Sequence, residues 1–135
     1  MVSFVWPSFK SCDLMPLDIV AEYIEGLYIK YVPEVIKSMA EFQRTHDKIC
    51  LFNALFTFQQ QRGWGVAEMF LELAKHFEEG AEKYGEHNWE KGIPIDSFID
   101  SAVRHYLKYL RGDKDEPHDR AFVWNLMCCA WTVSQ

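Results

Sequence analysis

Apolar residues along this chain recur at three- and four-residue intervals, and no stretch alternates in the two-residue manner of a strand. Pro16 suits the first position of a helix whose apolar positions are Leu17, Val20, Ile24 and Leu27. Pro33 suits the start of a second, with Val35, Ile36, Met39 and Phe42 on one side. Thr45 and Asp47 interrupt that pattern, residues 49–61 resume it, and Gly63-Trp64-Gly65 punctuates the chain. From Val66 onward, Met69, Phe70, Leu73 and Phe77 keep helical spacing while Glu68, Glu72, Lys75 and Glu79 fall on the other side. Gly80 is expected to end or loosen this helix. Residues 84–94, with Gly85, Asn88, Gly92 and Pro94, read as a loop. Asp96 or Ser97 then caps a helix with a stripe of Ile99, Val103, Tyr106, Leu107 and Leu110. Residues 112–117 form an acidic turn, and residues 121–133 a last helix that is apolar nearly all round. The pattern predicts an all-α fold: a compact helical bundle of about five helices, with an irregular N-terminal arm over residues 1–15.

Length and composition narrow the picture. A chain of 135 residues is the size of a single domain, here 1–135, and 49% apolar with 25% charged residues is the balance of a soluble globular protein. The formal charge of −6 argues against a nucleic-acid polymer as partner, because phosphate backbones demand basic surface. A small nucleotide remains compatible, since a few cations or a metal can meet its phosphates locally. Cys12, Cys50, Cys128 and Cys129 make no CxxC pair and no zinc spacing, so they read as reduced core thiols. The opening MVSFVWPSFK lacks the layout of a signal peptide, and no apolar run reaches the ~20 residues of a membrane span. The expected location is the cytoplasm, with no membrane partner.

Chemistry-bearing residues gather in the second half. Glu78 is expected on the flank of the packed side of its helix, beside Ala67, Leu71 and Ala74, where a carboxylate needs a cation, metal or donor. Glu68, Glu72 and Glu79 point nearly opposite and read as a solvated face. The glycine-bounded loop after it concentrates Lys83, Tyr84, Asn88 and Trp89: a cation for phosphate, an amide, and rings that can stack on a base. Asp96, Asp100, Arg104 and Lys108 form an i, i+4 ladder in which Asp100 lies close to the apolar stripe and wants a partner. Arg104 offers a planar fork for phosphate, and His105 lies on a different side. Asp113, Asp115, Glu116, His118 and Asp119 crowd into one turn and helix start, a concentration suited to a hard divalent cation. Asn125 stands in an apolar helix and shares a face with His118; its amide is expected to bond polar groups of the facing helices.

The strings EEGAEKYGEHNWEKGIP, SAVRHYLKYLRGD and DEPHDRAFVWN, in that order, resemble the phage-associated dATP/dGTP diphosphohydrolase family. Its pattern is roughly E-x-G-A-x-K-Y-G-x-x-N-W-x-x-G, an R-H helix, and a D-E-x-H segment leading to an Asn. The likeness runs from about Glu78 to the end, and residues 1–65 show no such pattern. It implies hydrolysis of purine deoxynucleoside triphosphates to the monophosphate and pyrophosphate, an all-α fold, and Mg²⁺ (or Mn²⁺) as cofactor. The matching positions are Glu78, Lys83, Tyr84, Asn88, Trp89, Arg104, His105, Asp115, Glu116, His118 and Asn125. The expected catalytic residues are Glu78, Asp100 and Glu116, and the metal ligands Glu78, Asp100, Glu116 and Asp119. Lys83, Tyr84, Asn88, Trp89, Arg104, His105, His118 and Asn125 are the expected nucleotide contacts. Ala121 stands where many members carry a second histidine. A nucleotide hydrolase of the HD type fails on spacing, because no His precedes His46 and no Asp follows Asp119. The alternatives are a non-catalytic nucleotide-binding protein and a helical protein-interaction module. Homo-oligomerisation is left open, since Trp124 and Trp131 on different sides of the last helix want more cover than one chain supplies.

Overall fold

The computed structural model describes residues 11–135, so the first ten residues of the expected arm lie outside the described residues. Among the described residues there are six α-helices and no strand: α1 (Leu17–Glu25), α2 (Val32–Thr45), α3 (Lys48–Arg62), α4 (Val66–Tyr84), α5 (Ile95–Arg111) and α6 (His118–Val133). The fold is the all-α bundle that the periodicity predicts, with six helices where about five are expected.

Local chemistry sets the boundaries. Pro33 occupies the first turn of α2, and the Asp47 carboxylate caps α3 by accepting from the Ile49 N–H at 2.9 Å. α4 departs from expectation. It runs through Gly80 to Tyr84, because one interior glycine costs about 1 kcal/mol and the continued helix keeps its hydrogen-bond ladder. α5 begins directly after Pro94, and neither Asp96 nor Ser97 caps it. α6 starts at His118 rather than Ala121, following Pro117.

α6 is the central element: it packs against α3, α4 and α5, which accounts for its nearly uniform apolarity. Phe58, Tyr106 and Phe122 form the aromatic heart, with Phe58 and Phe122 centroids 4.7 Å apart. The Tyr106 hydroxyl donates to Gln61 Oε1 at 2.8 Å. Each such ring contributes roughly 1.5–3 kcal/mol by leaving water. In α5 the buried stripe is Phe98, Ile99, Ala102, Val103 and Tyr106, whereas Leu107 and Leu110 are 40% and 39% exposed. Cys12, Cys128 and Cys129 are buried, Cys50 is half-buried, and all four are free thiols. Burial pushes the Cys129 thiol up to about 12 and Cys128 upward as well, so neither is a reactive thiolate.

A short 3₁₀ turn, Cys12–Leu14, packs against α5 and gives the expected arm an ordered end. Trp124 and Trp131 are half-buried and pack within the chain, on Phe77 and Phe98 and on Trp89 respectively. Large apolar side chains that are exposed include Ile19 and Tyr23 of α1, Leu27 and Tyr28 just after it, Ile49, Phe52 and Phe56 of α3, and Val66, Phe70 and Leu71 of α4. No helix among the described residues is long and apolar enough to cross a membrane.

Candidate functional site

Two adjoining clefts open where α4, α5 and α6 meet. The first, about 380 Å³, lies between the end of α4, the loop that follows and α6; His76, Phe77, Tyr84, Asn88, Trp89 and Trp124 contribute to its wall. Its rings are set edge to face: Trp89 on Phe77 at 5.7 Å between centroids, Trp89 on Trp131 at 5.0 Å, and Trp124 on Phe77 at 6.0 Å. The loop can fold back this way because Gly85 and Gly92 take φ values of +92° and +88°, where a side chain is strained. A short 3₁₀ turn, Asn88–Glu90, then points Trp89 inward.

The second cleft, about 500 Å³, shares Tyr84 and Trp124 with the first and adds Ser97, Asp100, Arg104 and Asn125. Asp100 is 4% exposed, and both its oxygens are engaged. Oδ1 accepts from the Cys12 N–H at 2.8 Å, and Oδ2 meets Arg104 Nη1 at 2.7 Å. The Arg104 side chain, 16% exposed, is thereby held along the cleft wall. The expected partner of Asp100 is thus an arginine and a backbone donor. Asn125 Nδ2 donates to the Ala121 carbonyl at 2.8 Å, a bond within its own helix rather than to a facing one.

A third group forms at the start of α6. His118 is buried; its Nε2 lies 2.8 Å from Asp115 Oδ1, and its Nδ1 lies 2.8 Å from His105 Nδ1. The hydrogen bond from His118 holds the Asp115 carboxyl below its ordinary value, so it accepts and Nε2 donates. Either Nδ1 can be the donor in the contact between His105 and His118, according to the tautomers the two rings adopt. Burial, and next the neighbouring His118, drive His105 down to about 3, so it is neutral at physiological pH. Asp113 is held low by its hydrogen bonds to Arg111, at 2.9 and 2.5 Å. Ligand atoms of Asp113, Asp115 and His118 lie within 4.8 Å of one another.

Placed on this geometry, the sequence-predicted residues divide. Tyr84, Asn88 and Trp89 line the aromatic cleft, and Tyr84, Asp100, Arg104 and Asn125 line the polar one. Lys83, Glu78, His105, Glu116, His118 and Asp119 line neither. The expected metal set of Glu78, Asp100, Glu116 and Asp119 does not assemble. Asp100 is bound to Arg104, Asp119 to Arg62 at 2.9 Å, and Glu116 is exposed. Glu78 is exposed beside Leu71, which is itself 66% exposed, so that flank of α4 is not packed within the chain.

The opposite side of α4 is the one that meets α6. Arg120 of α6, 12% exposed, pairs with Glu79 at 2.5 Å and Glu72 at 3.8 Å, so these glutamates are not merely a solvated face. Sequence reasoning passed over His76, Arg120 and Trp124 as site candidates, and named Asp113 only within the acidic turn. The legible signal was the Glu72, His76, Glu79 spacing, which lays one polar stripe along α4.

A family model for the N-terminal domain of dATP/dGTP diphosphohydrolase matches residues 45–135. The chain belongs to this family. No curated protein and no solved structure matches it. The family region begins just before α3 and takes in α3 to α6, so it reaches back well beyond the motif strings that start at Glu78. Both clefts of this dATP/dGTP diphosphohydrolase family domain are built almost wholly from that region; Asp13 is the one lining residue outside it.

Proposed function

We propose that this protein hydrolyses purine deoxynucleoside triphosphates, dATP and dGTP, to the monophosphate and pyrophosphate. The observation that carries the reading is the junction of a ring-lined cleft with a polar cleft holding a half-buried arginine. A purine fits between aromatic walls, and Trp89 and Tyr84 stack on it. The sugar lies where the two clefts join beside Tyr84, and the triphosphate runs toward Arg104. Asp100 acts as a positioning residue that fixes the guanidinium fork. Arg104 binds phosphate oxygens and steadies charge that develops as water attacks phosphorus. The water oxygen bonds to phosphorus, the bridge between the α and β phosphates breaks, pyrophosphate leaves, and one water proton passes to solvent.

Two carboxylates and an imidazole at Asp113, Asp115 and His118 would fit a divalent cation once Asp113 leaves Arg111 and His118 Nε2 gives up its proton, and the mixed oxygen and nitrogen set suits Mn²⁺ at least as well as Mg²⁺. These are the residues that would hold it in this account. A bound ion would supply Lewis-acid polarisation of the phosphates. His118 and Asn125 are seven residues apart on one face of α6, about 10 Å along the axis, which relates the cluster to the polar cleft. The protein is expected to release pyrophosphate from dATP and dGTP when Mg²⁺ or Mn²⁺ is supplied, with Arg104→Ala lowering kcat/KM by about 10²–10³. No pyrophosphate from either nucleotide at high protein concentration would refute the enzymatic reading.

A second reading, binding without turnover, draws on the scatter of the acids. Glu78 and Glu116 face neither cleft and both Asp100 oxygens are occupied. Nucleotide-induced thermal stabilisation without product would favour it. We further propose homo-oligomerisation through the exposed apolar side chains of α3 and α4, rather than through Trp124 and Trp131.

A further inference from the structure

Three buried nitrogens where α4 meets α6 have no hydrogen-bond partner: His76 Nδ1, Trp124 Nε1 and Arg120 Nε. A buried donor without a partner forfeits the hydrogen bonds it made to water, so such atoms are rare unless something completes them. Two of the three belong to side chains of the aromatic cleft, His76 and Trp124, whose rings lie 5.7 Å apart. The third belongs to Arg120, whose terminal nitrogens are held by Glu79 and Glu72. Phe77, Tyr84 and Trp89 give that cleft ring faces, which stack on a base without telling one base from another.

The geometry points to His76 and Trp124 as the readers of the purine's N7 edge, with Trp124 Nε1–H donating to N7 and His76 Nδ1 meeting the group at position 6. This deepens the reading of the aromatic cleft as the base site and rests on it. An indole N–H only donates, and N7 is an acceptor in adenine and guanine alike. Position 6 differs: guanine presents an acceptor oxygen, adenine a donor amino group. A neutral imidazole serves both, because Nδ1 carries the proton in one tautomer and accepts in the other. Burial, and then the charge of Arg120, hold His76 below its ordinary value and so keep it neutral. One residue thereby accepts both purines, while a pyrimidine has no N7 to offer. Both side chains belong to the cleft wall and both nitrogens are covered in this structure, so the wall around them shifts as the base enters.

Calorimetric titration with dAMP, dGMP and their 7-deaza counterparts, in which N7 is replaced by C–H, tests this on the intact protein. The unmodified protein is expected to bind each 7-deaza nucleotide about tenfold more weakly than its parent. Trp124→Phe keeps a ring in place and removes the donor, so parent and 7-deaza forms should bind it equally. His76→Phe should weaken dAMP and dGMP together, not one alone. Equal binding of parent and 7-deaza forms to the unmodified protein would overturn the inference and leave the base site standing. Absence of binding by all four nucleotides would sink the base-site reading and this inference with it.

Discussion

Asp100→Ala is expected to destabilise the fold by about 3–5 kcal/mol, the range for removing one partner of a buried ion pair. Two debts follow from the loss of this one side chain. Arg104, 16% exposed, is left without its counter-charge, and the Cys12 N–H loses its acceptor across 88 positions of chain. Asp100→Asn keeps an acceptor for Cys12 while removing the charge, so its cost should be roughly half as large. Urea denaturation of the two variants separates these contributions. A loss below about 1 kcal/mol for Asp100→Ala would mean that the pair behaves as a surface ion pair, contrary to its burial. Because Asp100 also positions Arg104, Asp100→Asn should weaken nucleotide binding even where the fold survives.

Acidification gives the second large effect. His105 is neutral in the folded protein, driven down to about 3 by burial and then by His118, against an ordinary value of about 6.5. Between those values the unfolded chain binds a proton that the folded one refuses, so stability falls as the pH drops through this window. Above about pH 6.5 the contribution is complete; by about pH 3 it is gone. At about 1.4 kcal/mol per pKa unit the loss reaches up to about 5 kcal/mol. His76 is shifted the same way by burial and Arg120 and adds to the slope. His105→Asn retains an amide that can hydrogen-bond His118 and removes the titration. Its stability should therefore change much less between pH 6.5 and 4, as measured by chemical denaturation at fixed pH. An equal slope in both proteins would contradict the burial of His105.

The helices were legible because most of them bury one face. α2 and α5 show it well, with Pro33 marking a start and Ile99, Val103 and Tyr106 all buried where the period put them. The period was less informative where apolar residues do more than build this chain's core. Phe70 and Leu71 are apolar yet largely exposed, and they drew the inferred packed face of α4 toward Glu78. At 100° per residue the neighbouring Glu79 then looked solvated, although it is the one that reaches Arg120. α3 hides the same ambiguity, since Phe52 and Phe56 are exposed while Leu51, Leu55 and Phe58 are buried. Gly80 misled as a stop because the stop lies at Gly85, where the backbone needs a positive φ.

The candidate site was legible as a region and less so as a set of atoms. Tyr84, Asn88 and Trp89 stood out through their loop, and Asp100 with Arg104 through i, i+4 spacing. Trp124 reads in the sequence as a ring that wants cover, because core, interface and cleft wall share the same residue types. Its place in the cleft wall follows only from the tertiary meeting of α4 and α6. The pairing of His105 with His118, from two helices, is likewise invisible to spacing.

We propose that a purine nucleotide occupies the joined clefts, with its base against Trp89 and Trp124. Indole N–H resonances of the ¹⁵N-labelled protein, followed during titration with dGMP, test it most directly. The indole signals of Trp89 and Trp124 are expected to shift with a common saturation curve. Trp64, packed on Phe58 and lining neither cleft, should stay in place. Stationary Trp89 and Trp124 signals at saturating dGMP, or a shift confined to Trp64, would contradict it.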